Sequence, residues 1–225
     1  MFDYHKFLSA FCKFCECKTI VEIGTQNGDC SLELCDAAQH NQGKYFGYDV
    51  YDEIYPYLKV SQEHVQSRLA NAGYDESIFK LTKINTRDAK FQDILKQDTD
   101  GKIDFAFIDA DHSYEGVTND FLKVYKLLTD KGFIAFHDTY SHNGCRKFVL
   151  DLYTTYNDGA FDIINLPYGG GDRRFGLTIL AKRSYSVNKL GMWYDAHDPN
   201  LTYQQVYQEE YEWYQKQLAN NLNKR

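Results

Sequence analysis

Ile103 to Thr139 reads IDFAFIDADHSYEGVTNDFLKVYKLLTDKGFIAFHDT, and its pattern decides the fold. Two apolar runs, Ile103 to Ile108 and Phe133 to Phe136, are too short for helices and rich in Ile and Phe, as buried strands are. Between them Val117, Phe121, Val124, Tyr125, Leu127 and Leu128 recur at helical spacing, and Lys131-Gly132 supplies a stop. Strand, helix, strand is a parallel βαβ unit with a right-handed crossover. The first strand runs into Asp109-Ala110-Asp111-His112 and the second into His137-Asp138-Thr139. Parallel neighbours put both clusters on one rim, and the rim outside the carboxyl ends of the strands is where open α/β sheets bind ligands. Carboxylates from both clusters and an imidazole suit a divalent cation, with oxygen-rich character favouring Mg²⁺ or Mn²⁺. The plainer reading is a set of solvated polar residues closing two buried strands.

Upstream, Thr19-Ile20-Val21-Glu22-Ile23-Gly24 is a further buried strand that enters Thr25-Gln26-Asn27-Gly28, after which Leu32, Leu34, Cys35 and Ala38 mark a helix. Strand, glycine turn, helix is a nucleotide-binding opening. A dinucleotide fingerprint needs a third glycine that Gly24 and Gly28 lack here, which argues against an NAD-dependent oxidoreductase. Lys44 to Asp49 is a second strand whose final carboxylate, about 20 residues past the turn, is placed to accept two ribose hydroxyls. Val60 to Ala72 has helical periodicity, Phe79 to Ile84 is a third strand leading into Asn85-Thr86-Arg87-Asp88, and Phe91 to Lys96 is a helix. An N-terminal helix over Phe2 to Cys15 is expected to cross the edge of the sheet.

Downstream, Cys145 to Tyr156 reads as a helix, and Phe161 to Leu166 and Phe175 to Ala181 as strands joined by a glycine-rich connection. That connection is too short for a crossover, so the pair is antiparallel. Residues 1–183 thus form one domain, and 184–225 a C-terminal extension ending in an amphipathic helix, Leu201 to Leu222, whose tyrosine stripe suits a homodimer contact.

The net charge of −7 argues against a nucleic-acid footprint. No apolar run reaches the roughly 20 residues of a membrane span, and the N-terminus does not look like a secretory signal. Six unevenly spaced cysteines suggest a reducing, cytoplasmic setting. Cys12, Cys15 and Cys17 lie close in sequence, but their spacing is not a standard zinc motif, so they read as free thiols.

Glu22-x-Gly24-x-x-x-Gly28, together with IDADHSYEGVTND and GFIAFHDT, resembles the class I S-adenosylmethionine-dependent methyltransferases, in the subgroup of small-molecule and sugar O-methyltransferases with cephalosporin-hydroxylase-like neighbours. The likeness covers Thr19 to Lys182, with Ala110 where the family often has glycine. It implies a Rossmann-like, doubly wound α/β fold: seven strands in the order 3-2-1-4-5-7-6, mostly parallel with an antiparallel terminal hairpin, and helices on both faces. It also implies a cofactor site of Glu22, Gly24, Thr25, Gly28, Asp49, Asn85, Thr86 and Asp109, and a cation held by Asp109, His137 and Asp138. His137 stands where a second carboxylate often sits, which tilts the site from Mg²⁺ toward Mn²⁺, Fe²⁺ or Zn²⁺. Asp111 or His112 is then the base that takes the proton of a small-molecule hydroxyl, sugar or phenol-like. A catalytically silent S-adenosylmethionine-binding or assembly protein is the further alternative, since the C-terminal helix suits a partner.

Overall fold

Helical and strand periodicities alternate along most of the chain, and the computed structural model, which describes residues 3–51, 61–154, 161–170 and 173–183, folds them as a doubly wound sheet. The elements in order are α1 (Tyr4–Phe14), β1 (Thr19–Ile23), α2 (Asp29–His40), β2 (Lys44–Asp49), α3 (Gln62–Asn71), β3 (Phe79–Lys83), α4 (Phe91–Asp98), β4 (Ile103–Ile108), α5 (Tyr114–Tyr125), β5 (Leu128–His137), α6 (Asn143–Thr154), β6 (Phe161–Leu166), β7 (Gly169–Gly170), β8 (Arg173–Arg174) and β9 (Leu177–Lys182). Seven strands form one sheet in the order β3-β2-β1-β4-β5-β9-β6. β9 runs antiparallel to both neighbours while the rest are parallel, so the expected 3-2-1-4-5-7-6 order holds once the short β7–β8 ladder is set aside.

Alternate strand residues face opposite sides, and each side is covered by its own helices. Leu8 and Cys12 of α1, Leu34 and Cys35 of α2 and Val65 and Leu69 of α3 close over Ile20, Phe105 and Phe107. Phe91 of α4, Phe121 of α5 and Phe148 of α6 close over Val21, Ile23 and Phe136. Local signals set the helix starts: Ser61 accepts from the His64 amide at 3.1 Å and Ser113 from the Gly116 amide at 3.0 Å. α2 differs, because its N-cap is Gly28 in the left-handed region at φ +79° and has no side chain to cap the first amides.

Strand register is what builds the rim. Ile23 of β1 pairs with Tyr48 of β2 and Ile108 of β4, and Ile108 pairs in turn with Phe136 of β5. The next residues, Gly24, Asp49, Asp109 and His137, therefore emerge level with one another.

Three expectations need correction. α1 lies on a face of the sheet, where Phe11 meets Phe105 and Phe133, because its buried stripe is Leu8 and Cys12 while Phe14 points into solvent. α5 ends at Tyr125, and Leu128 already belongs to β5, paired with Ile103; a register shift absorbs Thr129 to Gly132, with Lys131 at φ +69°. Lys131-Gly132 is thus a kink inside a strand and not a helix stop. The last strand starts at Leu177, because the Phe175 amide turns away to the Tyr168 carbonyl at 2.9 Å. The helix over Leu201 to Leu222 lies outside the described residues. No helix among the described residues is long and apolar enough to cross a membrane.

Candidate active site

The glycine turn and the acidic strand ends meet at the centre of the rim. Gly24 has φ +93°, and a Cβ there would lie 2.2 Å from the Asp109 carbonyl oxygen, so only glycine lets the turn after β1 sit against the end of β4. Across the turn from this contact, Asp49 ends β2 with one carboxylate oxygen accepting from the Thr25 and Gln26 amides at 2.8 and 2.9 Å. The other oxygen accepts from the Tyr51 amide at 2.8 Å. Asp49 thus braces the turn that it was expected to serve as a ribose contact, and Gly24, Thr25, Gly28 and Asp49 come together as a unit.

Glu22, expected at the cofactor, sits behind that unit. It is 1% exposed and accepts hydrogen bonds from Ser31 Oγ at 2.6 Å and from the Tyr45 hydroxyl. Burial pushes its carboxyl up to about 7 even though Ser31 and Tyr45 stabilise the charged form. The folded state therefore binds this proton more tightly than the unfolded chain does. The resulting stability cost is absent below about pH 4.5, grows as pH rises toward 7 and is complete above it. Glu22→Gln, which keeps both hydrogen bonds, is expected to remove this loss and gain up to about 3 kcal/mol at pH 8 while changing nothing at pH 4. Thermal midpoints measured at both pH values check it, and an equal effect at both would refute it.

Asn85 and Thr86 follow β3, where the Asn85 side chain accepts from the Arg87 amide at 2.9 Å. The Thr86 carbonyl accepts from Asn119 and Lys123 of α5. Arg87 pairs with Asp111, which also accepts from the Ser113 amide at 2.9 Å. This pairing ties the loop after β3 to the loop after β4 and turns Asp111 away from the other acidic groups.

Those groups form a tight cluster. One donor atom from each of Asp109, His112, His137 and Asp138 lies within 4.8 Å of all the others. Asp109 Oδ1 is 3.1 Å from both His112 Nε2 and His137 Nδ1, and Asp138 lies 3.7 and 3.6 Å from the same two nitrogens. The side chains of Asp138 and His137 are 9% and 10% exposed, against 31% for His112, so the cluster opens on the His112 side. Burial raises the Asp109 carboxyl, but hydrogen bonds from His112 and His137 outweigh it and hold the group below the usual carboxylate range. His112 is raised in turn, chiefly by its bond to Asp109. Two carboxylates and two imidazoles in one open-sided group fit a divalent cation of borderline character.

Sequence reasoning missed two neighbours of this cluster. His142 lies 3.1 Å from Asp138 through Nδ1, brought back by a turn in which the Ser141 and His142 amides donate to the Asp138 carbonyl; the four-residue spacing was its signal. Tyr168 bonds through its hydroxyl to His137 Nε2 from 31 residues away, and no local pattern marks it. All six cysteines are free thiols; Cys12 and Cys17 are buried, and Cys145 Sγ lies 3.8 Å from the His112 carbonyl oxygen at the margin of the cluster.

A family model described as a methyltransferase domain matches residues 21–139, which contain the turn, Asp49 and the whole four-residue cluster. Among solved structures the chain is similar to an O-methyltransferase from Bacillus cereus in complex with SAH, at 17% identity, TM-score 0.64 and 80% coverage of each chain. It is similar to TomG from Streptomyces achromogenes, an O-methyltransferase involved in tomaymycin synthesis and solved with SAM, at 18% identity, TM-score 0.63 and again 80% of each chain. A likeness also extends to an rRNA methylase from Streptococcus thermophilus, at 16% identity, TM-score 0.57, and 80% of this chain and 95% of that one. Such distant likenesses establish the fold and leave the acceptor to the site itself. No curated protein sequence matches the chain. Nothing in these comparisons supports a dinucleotide-dependent oxidoreductase. With its glycine turn, strand order and matched span, the chain belongs to the methyltransferase-domain family.

Proposed function

We propose that the protein transfers a methyl group from S-adenosylmethionine to the hydroxyl of a small molecule, sugar or phenol-like, with help from a divalent cation. The observation that carries this reading is the four-donor cluster set directly against the glycine turn through the Gly24–Asp109 contact. Bound by Asp109, His137 and Asp138, a cation would lower the pKa of an acceptor hydroxyl. The protein's remaining work is to hold acceptor oxygen, methyl carbon and sulfur in line and to exclude water.

Individual residues divide that work. The uncapped first turn of α2, reached through the turn of Thr25 and Gly28, offers its amides to the carboxylate of the methionine tail. Asp49 has a lone pair left for a ribose hydroxyl on the oxygen that accepts from Tyr51, and Asn85 and Thr86 border the adenine. Of the two groups read as proton acceptors, Asp111 is committed to Arg87 and Ser113, which leaves His112 on the open side of the cluster. The imidazole of His137 among the donors favours Mn²⁺, Fe²⁺ or Zn²⁺ over Mg²⁺.

Calorimetric titration with S-adenosylmethionine and S-adenosylhomocysteine, with and without Mn²⁺ or Mg²⁺ and with NAD as control, tests the reading. Both ligands are expected to bind and NAD is not. Asp49→Ala is expected to weaken them about 10- to 100-fold, because it removes the ribose acceptor and loosens the turn together. Preferential NAD binding would overturn the assignment. Ligand binding without turnover across a panel of sugars and phenols would favour a catalytically silent binding protein.

A further inference from the structure

We propose that Tyr168 is a positioning residue of the cation site, its hydroxyl holding the His137 ring so that Nδ1 faces Asp109 and Asp138. The inference rests on the cation reading above and goes beyond it by assigning a role to the glycine-rich connection between β6 and β9. His137 is clamped on its faces: the Tyr4 ring lies 4.4 Å away between centroids, and the Phe175 ring stacks at 6.5 Å with a 10° interplanar angle. Such packing fixes the plane of an imidazole. It does not distinguish the ring from one turned over within that plane, since the two differ in which edge carries nitrogen and not in shape.

Polar contacts make that choice. Nδ1 is 3.1 Å from Asp109, and Nε2 meets the Tyr168 hydroxyl. A neutral imidazole that gives one lone pair to a cation carries its proton on the other nitrogen, and metal-binding histidines almost always have a partner there. Here that nitrogen is Nε2, so Tyr168 Oη accepts its proton when Nδ1 serves the cation.

Tyr168 is itself held by backbone bonds. Its amide donates to the Leu166 carbonyl at 3.0 Å, and its carbonyl accepts from the Phe175 amide at 2.9 Å and the Gly176 amide at 3.3 Å. The Tyr140 amide then reaches the Phe175 carbonyl at 2.8 Å, joining this segment to the residues just past Asp138. The connection thus delivers one hydroxyl to one ring nitrogen with few degrees of freedom left.

The test is Mn²⁺ affinity by calorimetry on the full chain, for wild type, Tyr168→Phe and Tyr4→Phe. Tyr168→Phe keeps the ring and deletes the hydroxyl, and about 10- to 100-fold weaker Mn²⁺ binding is expected, with S-adenosylhomocysteine affinity unchanged and the thermal midpoint in chelator lowered only by the loss of one hydrogen bond. Tyr4→Phe keeps the ring that stacks on His137, and its Mn²⁺ affinity is expected to stay within about twofold of wild type. Equal Mn²⁺ affinity in wild type and Tyr168→Phe overturns the assignment of Tyr168 alone, as does a loss in Tyr4→Phe as large as that in Tyr168→Phe. Failure of wild type itself to bind Mn²⁺ overturns the cation reading and this inference with it.

Discussion

Asp109→Ala is expected to reduce divalent-cation affinity by roughly 1000-fold, or about 4 kcal/mol, the largest effect of any single side chain in the site. Asp109 lies within hydrogen-bonding distance of both His112 and His137, at 3.1 Å, whereas Asp138 stands further off at 3.7 and 3.6 Å, so removing Asp109 deletes a donor and the acceptor that the two imidazoles share. Loss of a partner residue near a bound metal costs 10- to 100-fold, and loss of a direct donor exceeds that. Folding stability is expected to fall by about 1–3 kcal/mol, because the nearly buried His137 ring and the half-buried His112 ring lose a hydrogen bond each. S-adenosylhomocysteine binding should change far less, since the Gly24 contact is with the Asp109 backbone, which the substitution leaves in place. Calorimetry with Mn²⁺ and with S-adenosylhomocysteine separates the two effects. Unchanged Mn²⁺ affinity would remove Asp109 from the ligand set.

Gly24→Ala is expected to act on the other half of the site and to cost about 4–5 kcal/mol of stability, with loss of S-adenosylmethionine binding in whatever protein folds. Two independent penalties combine. A φ of +93° is unfavourable for any residue with a Cβ, and the added methyl would sit 2.2 Å from one backbone atom of Asp109 and 2.6 Å from another. Neither neighbour is a flexible side chain that can step aside. The strand ends must therefore separate, and with them the turn and the cluster. Denaturant unfolding alongside ligand titration checks both parts; a stable variant that still binds would show that the two strand ends need not touch.

How much of this was legible in sequence follows from how local each signal is. The βαβ unit, the glycine turn and the antiparallel ending rest on residues within a few positions of one another, and the observed strand order matches the expectation. Errors fell where tertiary packing outweighed periodicity. Leu127 and Leu128 continue the apolar spacing of α5, yet pairing with Ile103 draws Leu128 into β5. Phe14 extends the apolar stripe of α1, yet its ring stays in solvent.

For the site, the sequence by itself determined which residue types stand at the strand ends, because side-chain chemistry next to a buried strand is a local property. With the family resemblance it placed Asp109, His137 and Asp138 at the cation, and it left the proton acceptor open between Asp111 and His112. That depends on Arg87, which takes Asp111 from another loop. Nor could it find Tyr168, whose hydroxyl reaches His137 because β9 pairs antiparallel with both β5 and β6 and so brings the end of β6 to the same rim as the end of β5. Contacts between residues distant in sequence are set by strand register and loop closure, and only the tertiary structure decides those.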